Sequence, residues 1–340
     1  MKPYFERINE DTYNLERLNG FQDRTIYQTQ EWLKFIARTQ NAEPLIAALR
    51  QRNHTLGFFT GLIVNKFGIK ILGSPFKGWT TGYMGFNLLP NVSRQIALEA
   101  LRYFAFNDLK CHHFEIMDRN MTFEDCSKFN FDIQTENSFE IDLTKSEEDL
   151  LANMDKKSCR WCIRKSEKCG VIIEEAHDMN FADDYYAQLK DVFAKQSLIP
   201  TYSIERVREL IRDIYPTGNL LLLRAKNSSG ICIATGIFPA FNDTMYFWGG
   251  ASWRQYQNLR PNEAIVWYAM KYWKKRGIEK FDFGGAGEYK RKYGGYRIKI
   301  PWVRMSKYKI IGSMRNFAKY LISIHQKASG YCFNRKNENY

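Results

Sequence analysis

Phe281-Asp-Phe-Gly-Gly-Ala-Gly-Glu-Tyr-Lys-Arg-Lys-Tyr-Gly-Gly295 carries an apolar strand, residues 280–283, into glycines, one acid, a Tyr-Lys-Arg-Lys cluster and two further glycines. A strand that ends in a Gly-rich loop lets backbone N–H groups come close to a ligand. Lys290, Arg291 and Lys292 place positive charge beside those amides. Taken alone, the stretch reads equally well as a glycine-rich turn with solvated lysines. The order of elements that leads into it favours the functional reading.

Working outward, the two halves of the chain share that order. The second half reads as strands at 219–224, 231–238 and 245–248, the last running into Gly249-Gly250. Arg260-Pro261-Asn262 then opens a helix carrying Ile265, Val266, Tyr268, Ala269 and Tyr272, and 280–283 is the closing strand. The first half reads as strands at 45–49, 57–64 and 69–72, a Gly-rich loop, and Leu89-Pro90-Asn91 opening a helix with Ile96, Leu98, Leu101 and Phe104. A strand at 112–117 closes it. These are two copies of one α/β unit of the α+β kind, each a mixed, mostly antiparallel sheet with a crossover helix. Pro is tolerated in a first helical turn, Asn there can cap orphan N–H groups, and a helix N-terminus is an anion site. Arg260 in the second copy is matched by Leu89 in the first, so the second copy is the better candidate for a phosphate-bearing ligand.

Between the copies, residues 150–168 read as one helix on which Lys156, Arg160, Arg164 and Lys168 form a stripe, widened by Lys157 and Lys165. Leu150, Leu151, Met154, Trp161 and Cys162 fall on the other side. Such a stripe reads either as a solvated face or as a contact for phosphate or tRNA. With 340 residues, 44% hydrophobic and 15% aromatic, the chain is long enough for two domains with a sizeable core. Its net charge of +13 calls for an anionic partner. No zinc-finger spacing or arginine-rich tail points to DNA. Seven irregularly spaced cysteines fit reduced thiols, and Cys159-x-x-Cys162 has no second pair, so no metal site is expected. The start lacks an apolar signal segment, and no apolar run is long enough for a membrane span, so a cytoplasmic place is expected. His112 and His113 alternate on a strand and cannot line one site. No Gly-x-Ser-x-Gly, Walker or His-Glu-x-x-His motif occurs. The loop 78–85 is glycine-rich, and its Trp79 and Tyr83 suit stacking on a sugar or base, with core packing as the plainer reading.

Three stretches resemble a family: Asn153-Met-Asp-Lys-Lys-Ser-Cys-Arg through Cys169-Gly170; Tyr246-Phe-Trp-Gly-Gly-Ala-Ser252 with Arg260-Pro-Asn262; and Phe281-Asp-Phe-Gly-Gly through Glu288-Tyr-Lys290 and Tyr293-Gly-Gly295. They are similar to the GNAT-fold acyltransferases of the FemAB type, which build peptidoglycan bridges, and their relatives in envelope polysaccharide synthesis. Gln28-Thr-Gln-Glu-Trp-Leu33 is similar to that family's opening. The resemblance implies two tandem GNAT-like domains, each a mixed, mostly antiparallel sheet flanked by helices. The first is drawn as 1–138, completed by a C-terminal helix at 308–330; the second, acyltransferase domain is 139–307; 331–340 is a tail. Two departures stand out. A long coiled-coil tRNA arm is missing, and the usual Gln/Arg-x-x-Gly-x-Gly/Ala pyrophosphate motif is not intact near Arg260.

The resulting expectation is an N-acyltransferase that moves an acyl group from acyl-CoA, a co-substrate and not a resident cofactor, to an amino group of a phosphorylated or lipid-linked amino-sugar or peptide acceptor. Glu288 or Asp282 would act as base, Asp282 having a competing reading as a structural strand-end carboxylate, and Lys290 would neutralise phosphate or an oxyanion. Trp248, Arg260, Asn262, Gly284 and Gly285 would hold the donor. Lys156, Arg160 and Arg164, with Trp79, Tyr83 and Tyr289, would hold the acceptor. The alternatives are an aminoacyl-tRNA donor, which the charge favours, and a non-catalytic polysaccharide binder. Eight Lys/Arg against one Glu over 304–340 would suit peripheral contact with the inner membrane, or simply a packed helix with a frayed tail.

Overall fold

Residues 57–64 alternate little and, Thr60 apart, carry no polar side chain, the pattern of a strand covered on both faces, and they lie in the long central strand of the first of two units. The computed structural model describes residues 2–8, 15–66, 68–285, 287–308 and 310. The chain passes from the first unit to the second between Asn137 and Ser138 and returns between Arg297 and Ile298.

In chain order the first unit contains β1 (Tyr4–Arg7), α1 (Gln30–Gln40), β2 (Glu43–Gln51), β3 (His54–Lys66), β4 (Ile69–Ser74), β5 (Gly85–Leu88), α2 (Arg94–Tyr103), β6 (His113–Met117) and α3 (Phe123–Ser127). The sheet runs β1-β2-β3-β4-β6, with β5 on the far end of β3. All pairs are antiparallel except β4 with β6. Strand β7 (Asp132–Asp142) leads into the second unit.

That unit contains α4 (Glu147–Asn153), a π-turn (Lys156–Arg160), α5 (Trp161–Lys168), β8 (Ile172–Glu175), α6 (Phe181–Ala194), α7 (Ile204–Ile214), β9 (Leu220–Lys226), β10 (Cys232–Phe241), β11 (Thr244–Tyr246), β12 (Gly249–Ser252), α8 (Pro261–Lys274) and β13 (Lys280–Asp282). Its sheet runs β7-β13-β11-β10-β9-β8, with β12 on β10. Only β11 with β13 is parallel. Val207, Leu210, Ile211 and Ile214 bury one face of α7 at helical spacing. Ile265, Val266, Ala269, Met270 and Trp273 of α8 close the core over Phe238, Met245 and Phe281. Strand β14 (Tyr296–Ser306) then carries the chain back, and its residues 302–306 pair with β6.

The duplication is visible as topology. In each unit a long strand pairs at one end with a strand that runs parallel to the closing strand, and at the other end with a second short strand: β3 with β4 and β5, β10 with β11 and β12. The helices α2 and α8 make the same crossover.

Three expectations are corrected. The helix expected over 150–168 is broken at Met154–Asp155, because Met154 is extended and the Asp155 carboxylate caps a new start, accepting from the N–H groups of Lys157 and Ser158. Pro90-Asn91 does not open a helix: it forms a turn, and α2 starts at Arg94 behind a Ser93 cap. The second domain does not run on to 307, since residues 298–306 belong to the first unit. Apart from residues 308 and 310, the C-terminal helix and tail expected over 308–340 lie outside the described residues.

Candidate active site

In the second unit two strands part company. The β11–β13 pairing ends at Tyr246 opposite Asp282, where the Phe247 N–H donates to the Asp282 carbonyl at 3.1 Å. The Trp248 N–H turns the other way, to the Ile237 carbonyl at 3.1 Å, and β12 continues on β10 alone. Beyond Asp282 the chain swings toward β7, with the Phe283 N–H on the Phe139 carbonyl at 2.9 Å. Among the described residues no strand covers the other edge of β12, so alternate N–H and C=O groups of 249–252 face a fork. The first unit closes the same place differently. There β4 and β5 are separated by the loop 75–84, and the Phe86 N–H of β5 donates to the Asp118 carboxylate at 2.8 Å.

One wall of the fork is the loop that follows β13. Asp282 is buried, and its Oδ1 accepts from the Ser138 hydroxyl at 2.5 Å and the Gly284 N–H at 2.7 Å. Gly284 and Gly285 have φ of 59° and 65°, the left-handed region that suits glycine. Their carbonyls, with that of Phe283, accept from the Lys290 ammonium, which is only 8% exposed. Burial pulls the Lys290 pKa down, with the nearby Asp282 charge opposing. The expected role of Lys290 as a phosphate or oxyanion partner is therefore corrected: its donors face inward because the 3-10 turn Glu288–Tyr293 folds back over the loop. Glu288 is exposed and ion-paired with Arg297. Asp282 ends β13, and the partners of its Oδ1 fit the competing reading of a strand-end carboxylate. Tyr289 is exposed beside Lys290, whose Nζ lies 5.7 Å from its ring.

The second wall is basic and aromatic. The π-turn adds a residue to the helical turn, and Trp161 consequently emerges on the charged side, 49% exposed, which corrects its expected place on the apolar side. Lys156, Lys157, Arg160, Trp161 and Arg164 line a surface cleft of about 340 Å3. The Trp161 ring is flanked by Lys165 at 5.0 Å and Arg260 at 5.9 Å, both in cation–π range. Arg260 stands before α8 with φ of 59°, a left-handed conformation that costs a non-glycine residue roughly 1–2 kcal/mol. Such strain is retained most often at functional sites. The first turn of α8 has no side-chain cap. Asn262 does not supply one, because its amide donates to the Ser252 hydroxyl at 3.2 Å. The buried Glu263 of that turn is paired with Lys292 at 2.5 Å. An intrinsic carboxylate thus sits in the first turn of α8, and several cations surround Trp161.

Around Trp248, which the sequence reading placed at the donor, stand two tyrosines that it missed. Trp248 lies against Tyr202 at 5.5 Å and Tyr185 at 6.4 Å between ring centroids, and the two tyrosine hydroxyls are 2.7 Å apart. Burial holds both hydroxyls protonated, pushing each pKa up. A Cβ on Gly249 would meet the Tyr185 hydroxyl at 2.4 Å, so β12 must be glycine there. Of the residues expected at the acceptor, Trp79 and Tyr83 belong to the first unit, in the loop 75–84. Tyr83 is buried and Trp79 packs on Phe76 at 4.7 Å, so their expected use as an open stacking platform is corrected to packing. Cys159 is buried with its thiol 3.5 Å from the Met154 sulfur, and burial pushes its pKa up to about 12. Among the described residues no group of three or more His, Cys, Asp or Glu is placed to hold a metal.

The family model described as an acetyltransferase (GNAT) domain matches residues 155–292, the span that holds the fork, the cleft and α8. The second unit thus has the GNAT fold. FemX has the same fold at a TM-score of 0.69 and 14% identity, over 88% of this chain and 97% of FemX. L-PGS from Bacillus licheniformis is similar at a TM-score of 0.51 and 9% identity, over 87% and 97%. A tandem GNAT protein from the clavulanic acid biosynthesis pathway reaches 0.50 at 10% identity, over 89% and 97%. No curated protein sequence matches significantly. The matched span lies in the second of the two units that share one topology. Among the described residues no helix is long and apolar enough to cross a membrane.

Proposed function

We propose that the chain transfers an acyl group from acyl-CoA to an amino group of a cell-envelope precursor, an amino sugar or peptide carried on a nucleotide or lipid phosphate. The observation that carries this reading is the fork: an uncovered β12 edge beside the strained, exposed Arg260 at the start of α8, within a domain that matches the acetyltransferase family. In the step itself the amine nitrogen attacks the thioester carbonyl carbon. The C–N bond forms as the C–S bond breaks, and CoA leaves as a thiolate that takes up the proton lost by the amine. Positioning supplies most of the acceleration, since thioesters are already reactive. The backbone groups of β12 align the donor, and Arg260, Lys165 and Arg164 beside Trp161 hold its phosphates. With Asp282 and Glu288 both engaged, an ammonium acceptor gives its first proton to solvent before attack, and the rate follows the fraction of neutral amine; the second proton, lost after attack, is the one the thiolate takes up.

A second reading, an aminoacyl-tRNA donor, is favoured by one feature: the cleft of four cations around an exposed tryptophan in a chain of net charge +13. Thiol release from acetyl-CoA, assayed with amino-sugar nucleotides and short amino-terminal peptides as acceptors, tests the first reading. Acceptor-dependent release that Arg260→Glu abolishes is expected. No release with acetyl- or longer acyl-CoA, together with tight salt-sensitive binding of charged tRNA, would replace it with the second.

A further inference from the structure

Three tryptophans of the chain bury an indole N–H in ways that can be compared. Trp32 donates to the Thr81 hydroxyl at 3.1 Å, and Trp273 donates to the Phe238 carbonyl at 3.2 Å. Trp248 is 8% exposed, and its Nε1 is buried without an acceptor among the described residues. An unmet buried donor is costly, and nearly all such groups in folded proteins find a partner. Its place is specific. Trp248 is the residue at which the β11 strand leaves β13: the N–H before it bonds across to Asp282, and its own N–H bonds back to Ile237. Side chains alternate along a strand. Phe247 accordingly packs into the core on Phe238 and Phe283, while the Trp248 ring meets Tyr185 of α6 and Tyr202 of the segment leading into α7. The ring therefore stands at the apex of the fork, walled by two phenols.

We propose that the Trp248 indole N–H is the donor that receives the carbonyl oxygen of the acyl group, and that Tyr185 and Tyr202 wall the pocket for the acyl chain. This rests on the acyl-CoA reading and deepens it. A neutral N–H fixed at the fork polarises the carbonyl without adding charge, and it has nothing to release when the ligand arrives. Reaching it requires the Tyr202 ring to swing aside. That ring is held by its hydroxyl on Tyr185 and, through its backbone carbonyl, by the Tyr186 hydroxyl at 3.0 Å.

The test uses the whole chain carrying 15N-tryptophan, with the Trp248 indole signal assigned through Trp248→Phe, or through Trp248→Tyr should the first not fold. Acetyl-CoA and free CoA are then compared. The Trp248 N–H signal is expected to move downfield with acetyl-CoA and to stay in place with CoA. In calorimetry Trp248→Phe is expected to bind acetyl-CoA about fivefold more weakly while its CoA affinity is unchanged, the scale of one hydrogen bond. Thermal stability of Trp248→Phe is expected to hold or rise, whereas a purely structural role would lower it. If both ligands bind and the Trp248 signal responds to neither, or to both alike, the proposal is overturned and the donor reading stands. If neither ligand binds, the donor reading fails and the proposal falls with it.

Discussion

Lys290 shows how far one residue can stand from its sequence reading. A lysine in a Tyr-Lys-Arg-Lys run beside glycines reads as an anion contact, yet its ammonium holds three carbonyls of the loop it follows. Lys290→Met leaves those carbonyls unmet and is expected to lower unfolding free energy by about 2–3 kcal/mol in urea titration, the range for buried charge-assisted bonds. Stability equal to wild type would contradict the cage. Glu288, by contrast, is an exposed partner of Arg297, and Glu288→Gln is expected to keep acyl transfer near the wild-type rate across pH. The glycine-rich strand end and the helix that starts at Pro261 behind Arg260 were legible in the sequence. The direction of the Lys290 side chain was not, because it depends on a 3-10 turn doubling back. Trp161 was misplaced for a related reason: a π-turn shifts the phase of every residue after it, and no residue pattern announces one.

At the scale of elements, α6 is clamped to β9 by one arginine, and this clamp positions Tyr185 beside Trp248. Arg224 bonds Asp178 at 2.7 and 3.0 Å and Asp184 at 2.7 Å, and its guanidinium lies 5.6 Å from the Phe181 ring. Hydrogen bonds from Arg224 hold the Asp178 carboxyl below the ordinary carboxylate range. A depressed carboxyl pKa stabilises the fold fully above the unfolded value of about 4 and loses that contribution as pH falls through the folded value. Asp178→Asn is therefore expected to flatten the acid limb of stability against pH while changing little above about pH 6. Because the acids are half exposed, Arg224→Ala is expected to cost only about 1 kcal/mol, read by thermal melts, yet to weaken acetyl-CoA binding through Tyr185. The strands of both repeats and their crossover helices were legible from apolar runs and turn residues. β7 and β14 were not. The first opens with polar residues of low strand preference, and the second carries Pro301 mid-strand, where a proline argues against a central strand.

At the scale of the molecule, a duplicated fold has kept one open fork. The first unit ties the corresponding edge to Asp118 and joins β4 to β5 through the loop 75–84, and the family match lies within the second unit. The acyl-CoA reading therefore predicts one donor site per chain. The net charge of +13 gives a background attraction for any polyanion. RNA binding measured against salt is expected to be steep, and Lys156→Glu with Arg164→Glu is expected to reduce the log–log slope by about 1 for each phosphate that these cations no longer neutralise. An unchanged slope would remove the cleft from phosphate recognition.

The central claim is that the second unit binds an acyl-CoA at its fork, with Arg260 on the phosphates. Calorimetric titration with acetyl-CoA at low and moderate salt, for wild type and Arg260→Glu, tests it most directly. One saturable site per chain that survives moderate salt and weakens at least tenfold in Arg260→Glu is the expected result. Absence of heat in both proteins, or binding that moderate salt abolishes and Arg260→Glu leaves unchanged, would contradict it.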